Sequence, residues 1–145
     1  MKKEREGSVL DELTERLVRI HLNRSASPPG EIFANSGEGR LLIYLLQDKS
    51  DVLVGEMTRD LNLSTGRTAN LLRQLEAKAY IRRVQCSDDR RKYTVSLTEE
   101  GRKKAESVYR GIRVYDRSLL EKLGEEDAEY LVRILEKSMK ILQDN

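Results

Sequence analysis

Apolar positions change period along the chain, and each change marks an element. From Ser8 to Leu22 they recur as Leu10, Leu13, Leu17 and Ile20, a 3, 4, 3 spacing that predicts a helix with an a/d-like stripe. The stretch NRSASPPGEIFANSGEGR has no such period, and Pro28-Pro29-Gly30 cannot sit inside a helix. Leu41, Leu42, Leu45 and Leu46 then give a second helix its buried face, with Ser36 placed to cap it and Tyr44 beside that face. Leu53, Met57 and Leu61 step by four, the spacing of a short third helix. Asn62-Leu63 turns the chain, and Ser64 can cap a fourth helix. That helix carries Leu71, Leu72 and Leu75 inward and Arg67, Asn70 and Arg73 outward.

Beyond it the period drops to two. Ile81–Val84 and Tyr93–Leu97 read as strands, the second alternating Tyr93, Val95 and Leu97 with Thr94 and Ser96. The hairpin tip between them is CSDDRRK. Thr98 caps a long fifth helix, with Glu99 and Glu100 in its first turn where the helix dipole favours acids. Ala105, Val108, Ile112, Tyr115 and Leu119 repeat the heptad-like step there. Gly124 ends that helix, and Glu125-Glu126-Asp127 open a last one whose inward face is Leu131, Ile134, Leu135, Ser138 and Leu142. The expected fold is mainly α with a small antiparallel β wing. Helix, tight turn, helix and basic hairpin make a winged helix-turn-helix, a shape suited to DNA.

Composition narrows the classes. The 145 residues suit a single domain, and 36% of them are charged. Mean hydropathy is −0.64, and no apolar run is long enough to span a bilayer. The N-terminus, MKKEREGSVLDEL, lacks the apolar segment of a signal peptide. One cysteine excludes an internal disulfide and fits a reducing cytoplasm, and with a single histidine it argues against a structural zinc site. Net charge is only +2, yet it is unevenly spread. Between Ser64 and Lys92, Arg67, Arg73, Lys78, Arg82, Arg83, Arg90, Arg91 and Lys92 outnumber Glu76, Asp88 and Asp89. A basic patch on a nearly neutral body is what a phosphate-binding surface requires.

The run DDRRKYTVSLTEEGR, Asp88–Arg102, resembles the wing and following helix start of the multiple antibiotic resistance regulator (MarR) family. Two of its features are in register: the Asp-x-Arg of the wing (Asp89, Arg91) and Leu-Thr-x-x-Gly beyond it (Leu97, Thr98, Gly101). Upstream, LNLSTGRTANLLRQLEAKAYIRR resembles that family's recognition helix and first wing strand. The resemblance implies a one-residue-wide strand at Val52 that completes the wing sheet. It implies a winged helix-turn-helix lobe over residues 31–97 and a helical dimerisation region from both termini, 1–30 and 98–145. In the family these terminal helices interleave with their copies across a two-fold axis. Leu10, Leu13, Leu17, Ile20, Val108, Ile112, Tyr115, Leu119, Leu135 and Leu142 are the expected interface. Three positions depart from the family pattern: the Pro-Pro-Gly break, Asn70 where a basic residue is frequent, and Ala79 where a glycine ends the recognition helix.

Candidate functional residues follow from the fold. Ser64, Thr65 and Gly66 open the recognition helix, where free N–H groups and the dipole favour phosphate. Arg67, Thr68, Asn70 and Arg73 lie where side chains reach the major groove. Asp89 can accept hydrogen bonds that stiffen the wing, and Arg90, Arg91 and Lys92 carry charge to the minor groove; by resemblance Arg91 enters it. The expected function is a homodimeric transcriptional regulator, a repressor, on a pseudo-palindromic double-stranded operator. By resemblance a small ligand, of which an aromatic effector is one class, releases DNA, and its pocket would draw on Arg16, Leu17, Tyr44, Tyr109 and Tyr115. A protein-interaction module is the alternative, opposed by Arg67, Arg73 and Arg90–Lys92. An enzyme is not expected: no catalytic set, phosphate loop, metal cluster or cofactor motif is present. His21 is expected to be exposed or at an interface. Redox sensing through Cys86 is a further alternative, although relatives that sense peroxide carry the cysteine in the first helix.

Overall fold

The computed structural model describes residues 2–23, 36–47 and 51–144. In chain order they form α1 (Lys2–Asn23), α2 (Ser36–Leu46), β1 (Val52–Leu53), α3 (Val54–Asp60), α4 (Thr65–Ala77), β2 (Ile81–Gln85), β3 (Tyr93–Leu97), α5 (Glu99–Leu123) and α6 (Glu125–Gln143). The Pro28-Pro29-Gly30 connector and the capping side chain of Ser36 lie outside the described residues. The chain divides into two compact units: residues 27–109, and residues 1–26 with 110–145.

The first of these units is the winged helix. Its core joins Leu41, Leu42 and Leu45 of α2, Met57 of α3, Leu71, Leu72 and Leu75 of α4, and Ile81 and Val95 of the sheet. The sheet is antiparallel in the order β1-β3-β2, with Val52 opposite Val95 and Ile81 opposite Leu97. Leu53 departs from its expected place on α3. It belongs to β1, is 38% exposed, and stands just before the helix, so Met57 and Leu61 hold that helix to the core without it.

Both turns around the recognition helix close by the same device. After α3, Leu63 N–H donates to Thr58 O and Asn62 N–H to Arg59 O, with Asn62 at φ 52°. After α4, Tyr80 N–H donates to Leu75 O and Ala79 N–H to Glu76 O, with Ala79 at φ 60°. This paired pattern satisfies the last helical carbonyls and needs a left-handed residue. Ala79 therefore keeps the family's left-handed turn without its glycine. The corner beyond is equally tight. Thr98 Oγ1 donates to Ala79 O and accepts from Gly101 N–H, while Thr98 N–H donates to Tyr80 O. A Cβ at Gly101 would stand 1.7 Å from Tyr80 O. That is the physical content of Leu-Thr-x-x-Gly: the start of α5 lies directly on the chain leaving α4.

The other unit is helical. Leu13, Leu17 and Ile20 of α1 pack with Leu120 of α5 and with Ala128 and Val132 of α6. Its α1 is longer than expected, since the polar KKEREG segment carries no apolar period by which to be recognised. The inward face of α5 here runs Ile112, Asp116, Leu120, each nearly or wholly buried, so Tyr115 and Leu119 stay 44% and 37% exposed. On α6, Ala128 and Val132 are buried and Leu131, Leu135 and Met139 pack beside them. Ile134, Ser138 and Leu142 face solvent instead of the core, with Leu142 74% exposed. His21 is not exposed either: its Nδ1 lies 2.9 Å from Asp116 Oδ2, and the Asp116 side chain is wholly buried.

Candidate nucleic-acid interface

The recognition helix is set by its first residue. Ser64 has extended backbone and its Oγ accepts from Arg67 N–H at 3.2 Å, so α4 begins where the sequence places it. Thr65, Gly66, Arg67, Asn70 and Arg73 are exposed on one side. Around Gly66 there is open space on the Cβ side. Thr68 is a correction. It is 1% exposed, and its hydroxyl donates to Ser64 O at 3.0 Å, so it faces the core and offers DNA no surface. Its spacing to Leu71, Leu72 and Leu75 (3, 4 and 7) was the available signal.

Arg67 lies across the first turn of α2, where a Cβ on Gly37 would come within 3.5 Å of its Nη2. Beside it is Arg40, a residue the sequence did not single out. Arg40 donates to Leu61 O, at the turn between the two helices. Burial and, after it, the nearby positive Arg67 pull its guanidinium below the usual arginine value.

The basic residues of α4 and the wing divide by partner. Lys78 holds both carboxylate oxygens of Glu38 on α2, at 3.0 and 2.8 Å. Arg83 forms an ion pair with Glu76. Arg73, Arg82, Arg90, Arg91 and Lys92 remain exposed. At the wing tip Lys92 N–H donates to Asp89 O, closing a turn, and Arg91 N–H donates to Asp89 Oδ1 at 3.0 Å. That backbone bond first, and the Arg91 side chain second, hold the Asp89 carboxyl below the usual aspartate value. The Arg91 side chain itself is 91% exposed. Cys86 is a free thiol at the wing base, its N–H donating to Lys92 O.

The residues expected to wall an effector pocket fall in both units. Arg16 donates two bonds to Glu136, at 2.8 and 2.7 Å, and Leu17 is core. Tyr44 donates to Asp60 at 2.6 Å; burial, then that bond, push its phenol up to about 12. Tyr109 is half-buried and Tyr115 exposed. Within the helical unit a cleft of about 310 Å3 opens between α1 and α5, lined by Asp11, Thr14, Arg113, Arg117, Ser118 and others, and none of the expected wall residues lines it.

Two helices joined by a tight turn, a basic exposed helix start and a charged hairpin define a winged helix-turn-helix DNA-binding protein. The sequence model of the family described as "Winged helix DNA-binding domain" matches residues 40–115, and the chain belongs to that family. Solved structures agree. The chain is similar to S. aureus MepR in complex with DNA, at 28% identity over 73% of this chain and 78% of that one, with a TM-score of 0.62. It shares its fold with Streptococcus pneumoniae FabT in complex with DNA, at 24% identity over 74% and 75% of the two chains, TM-score 0.64. It also shares it with AbsC, a MarR family transcriptional regulator from Streptomyces coelicolor, at 20% identity over 91% and 88%, TM-score 0.62. No curated protein matches the sequence. No described helix is long and apolar enough to cross a membrane.

Proposed function

We propose that the protein is a cytoplasmic, homodimeric repressor that binds a pseudo-palindromic operator and lets go when a small ligand binds. The observation that carries this reading is the pairing of an exposed helix start (Ser64, Thr65, Gly66, Arg67, Asn70, Arg73) with an exposed basic wing tip (Arg90, Arg91, Lys92) in one unit. The MepR and FabT structures, which contain DNA, support it. Arg67 and Asn70 read bases in the major groove, the N–H groups at Ser64–Gly66 hold a phosphate, and Arg91 enters the minor groove. Dimerisation draws its support from Tyr115, Leu119, Ile134 and Leu142, which are apolar and exposed in the single chain. A small aromatic effector is the ligand class to try first.

Selection of bound duplexes from a random pool tests the reading, repeated in the presence of phenols. The enriched sites should be inverted repeats with half-sites about one helical turn apart. Arg67→Ala should weaken binding by roughly 1–3 kcal/mol and relax one base-pair position per half-site. Arg91→Ala should weaken binding to most sequences alike and flatten the salt dependence by about one phosphate contact. A pool that enriches no sequence would sink the proposal.

A further inference from the structure

Strand pleating places Arg83 where a DNA-binding arginine has no business to be. Ile81, Arg83 and Gln85 of β2 alternate onto one face of the wing sheet, opposite Leu97, Val95 and Tyr93 of β3. On that face Ile81 and Val95 are buried, 4% and 0% exposed, so it is the side turned to the core. Arg82 and Val84, on the opposite face, are exposed. Arg83 therefore runs under the sheet, and its guanidinium ends in an ion pair with Glu76, one residue from the end of α4. Its Cζ also stands 5.7 Å from the centroid of the Tyr93 ring, the diagonal neighbour across the hairpin. One side chain thus touches the recognition helix and both strands of the wing.

We propose that Arg83 is a positioning residue: through Glu76 and Tyr93 it fixes the angle between the recognition helix and the wing, and so the register between major-groove reading and minor-groove contact. The inference rests on the DNA-binding reading above and adds a role for an arginine that composition alone would assign to phosphate. Leverage makes the role matter. The wing tip lies three to four residues beyond Arg83, roughly 10–13 Å at strand rise. A swing of about 10° at Arg83 moves Arg91 by roughly 2 Å, more than a preorganised contact tolerates. Ile81 and Val95 pack the inner end of the sheet on the α4 leucines, and the Arg83–Glu76 pair is the next contact outward along β2.

Two substitutions separate positioning from phosphate binding. Arg83→Met removes the charge and the pair; Glu76→Gln removes the pair and keeps the charge. Positioning predicts that both weaken operator binding by about tenfold, with loss of minor-groove protection under the wing in a hydroxyl-radical footprint. Both should leave the base preferences set by Arg67 in place. A phosphate contact predicts that only Arg83→Met weakens binding, with a smaller salt slope, while Glu76→Gln binds as well as the parent or better; that result overturns the proposal. In the DNA-free protein, spin labels at Gln74 and Ser87 in a Cys86→Ser background give a second readout. The distance distribution should broaden in both variants and stay narrow in their parent. Unchanged distributions overturn the proposal whatever the DNA result. A parent that selects no DNA, with the distributions broadened, instead removes the DNA-binding reading and the positioning role with it.

Discussion

The two units bury their apolar surface in different ways. In the winged-helix unit the leucines of α2 and α4 close on Met57, Ile81 and Val95, and the large apolar side chains left exposed among the described residues are Leu53, Val84 and Tyr93. In the helical unit Val114, Tyr115, Leu119, Leu123, Tyr130, Ile134, Ile141 and Leu142 all remain exposed. Solvent-facing apolar residues are ordinary when scattered singly. Here they recur on two consecutive helices, α5 and α6, whose other faces are already packed on α1. One unit has the interior of a finished domain; the other has a core and an uncovered side. A contiguous exposed apolar face of the second kind marks an interaction surface.

The largest expected effects test that contrast inside the helical unit. Leu17 is 1% exposed in its core, so Leu17→Asp should cost more than about 4 kcal/mol and unfold the unit, which appears as loss of helical circular dichroism. Ile134 is 58% exposed, and Ile134→Asp should change the stability of the single chain by no more than about 0.5 kcal/mol. If the uncovered side meets a second copy, the same substitution should halve the mass seen by light scattering and abolish operator binding. A parent that is monomeric at micromolar concentration would show that the exposed face does not serve a dimer.

What could be read from sequence follows the same division. Elements governed by local rules were legible: the Ser64 cap, the turn at Asn62, the alternating β3 and the Thr98 cap each depend on neighbours within a few residues. The inward faces of α5 and α6 were not. Each helix carries an apolar face wider than a single seam, so on α5 Ile112-Tyr115-Leu119 and Ile112-Asp116-Leu120 were competing stripes within it. Only the position of α1, with His21 meeting Asp116, decides between them. The same limit hid Lys78 with Glu38, Arg40 at Leu61 O and Arg83 under the wing. Charge on a segment can be counted from sequence; whether a given arginine points to DNA or to its own fold depends on a partner that the sequence does not place.

A smaller effect separates two positions at the corner that carries the wing. Gly101→Ala would set a Cβ 1.7 Å from Tyr80 O, a backbone atom that cannot yield without moving the end of α4. We expect a loss of about 3 kcal/mol in the winged-helix unit. Ala79→Gly acts in the opposite direction. Ala79 holds a left-handed turn at φ 60° that costs an L-residue about 1 kcal/mol, and glycine adopts it freely. Thermal unfolding followed at the Tyr80 ring should therefore shift down for the first and up for the second. A destabilised Ala79→Gly would mean that the strain of the turn is outweighed by the entropy glycine loses on folding.

The smallest expected effect lies at the wing tip, where order depends on one half-buried carboxylate. Asp89 titrates below the ordinary aspartate value because its charged form accepts the Arg91 backbone N–H first and the Arg91 side chain second. A folded-state value below the unfolded one means the contribution to wing order is fully present above the unfolded aspartate range, near 3.9. It is lost as the pH falls through the lower, folded value. Carbon-detected titration of the Asp89 carboxyl should place its midpoint under the ordinary value. Arg91→Ala should raise that midpoint only in part, since the backbone donor survives the substitution. Arg91→Pro removes the N–H itself and should bring the midpoint most of the way back. If Arg91→Ala alone restored the ordinary value, the side chain and not the backbone turn would be what charges the wing tip, and the wing would lose its shape whenever Arg91 left Asp89 for DNA.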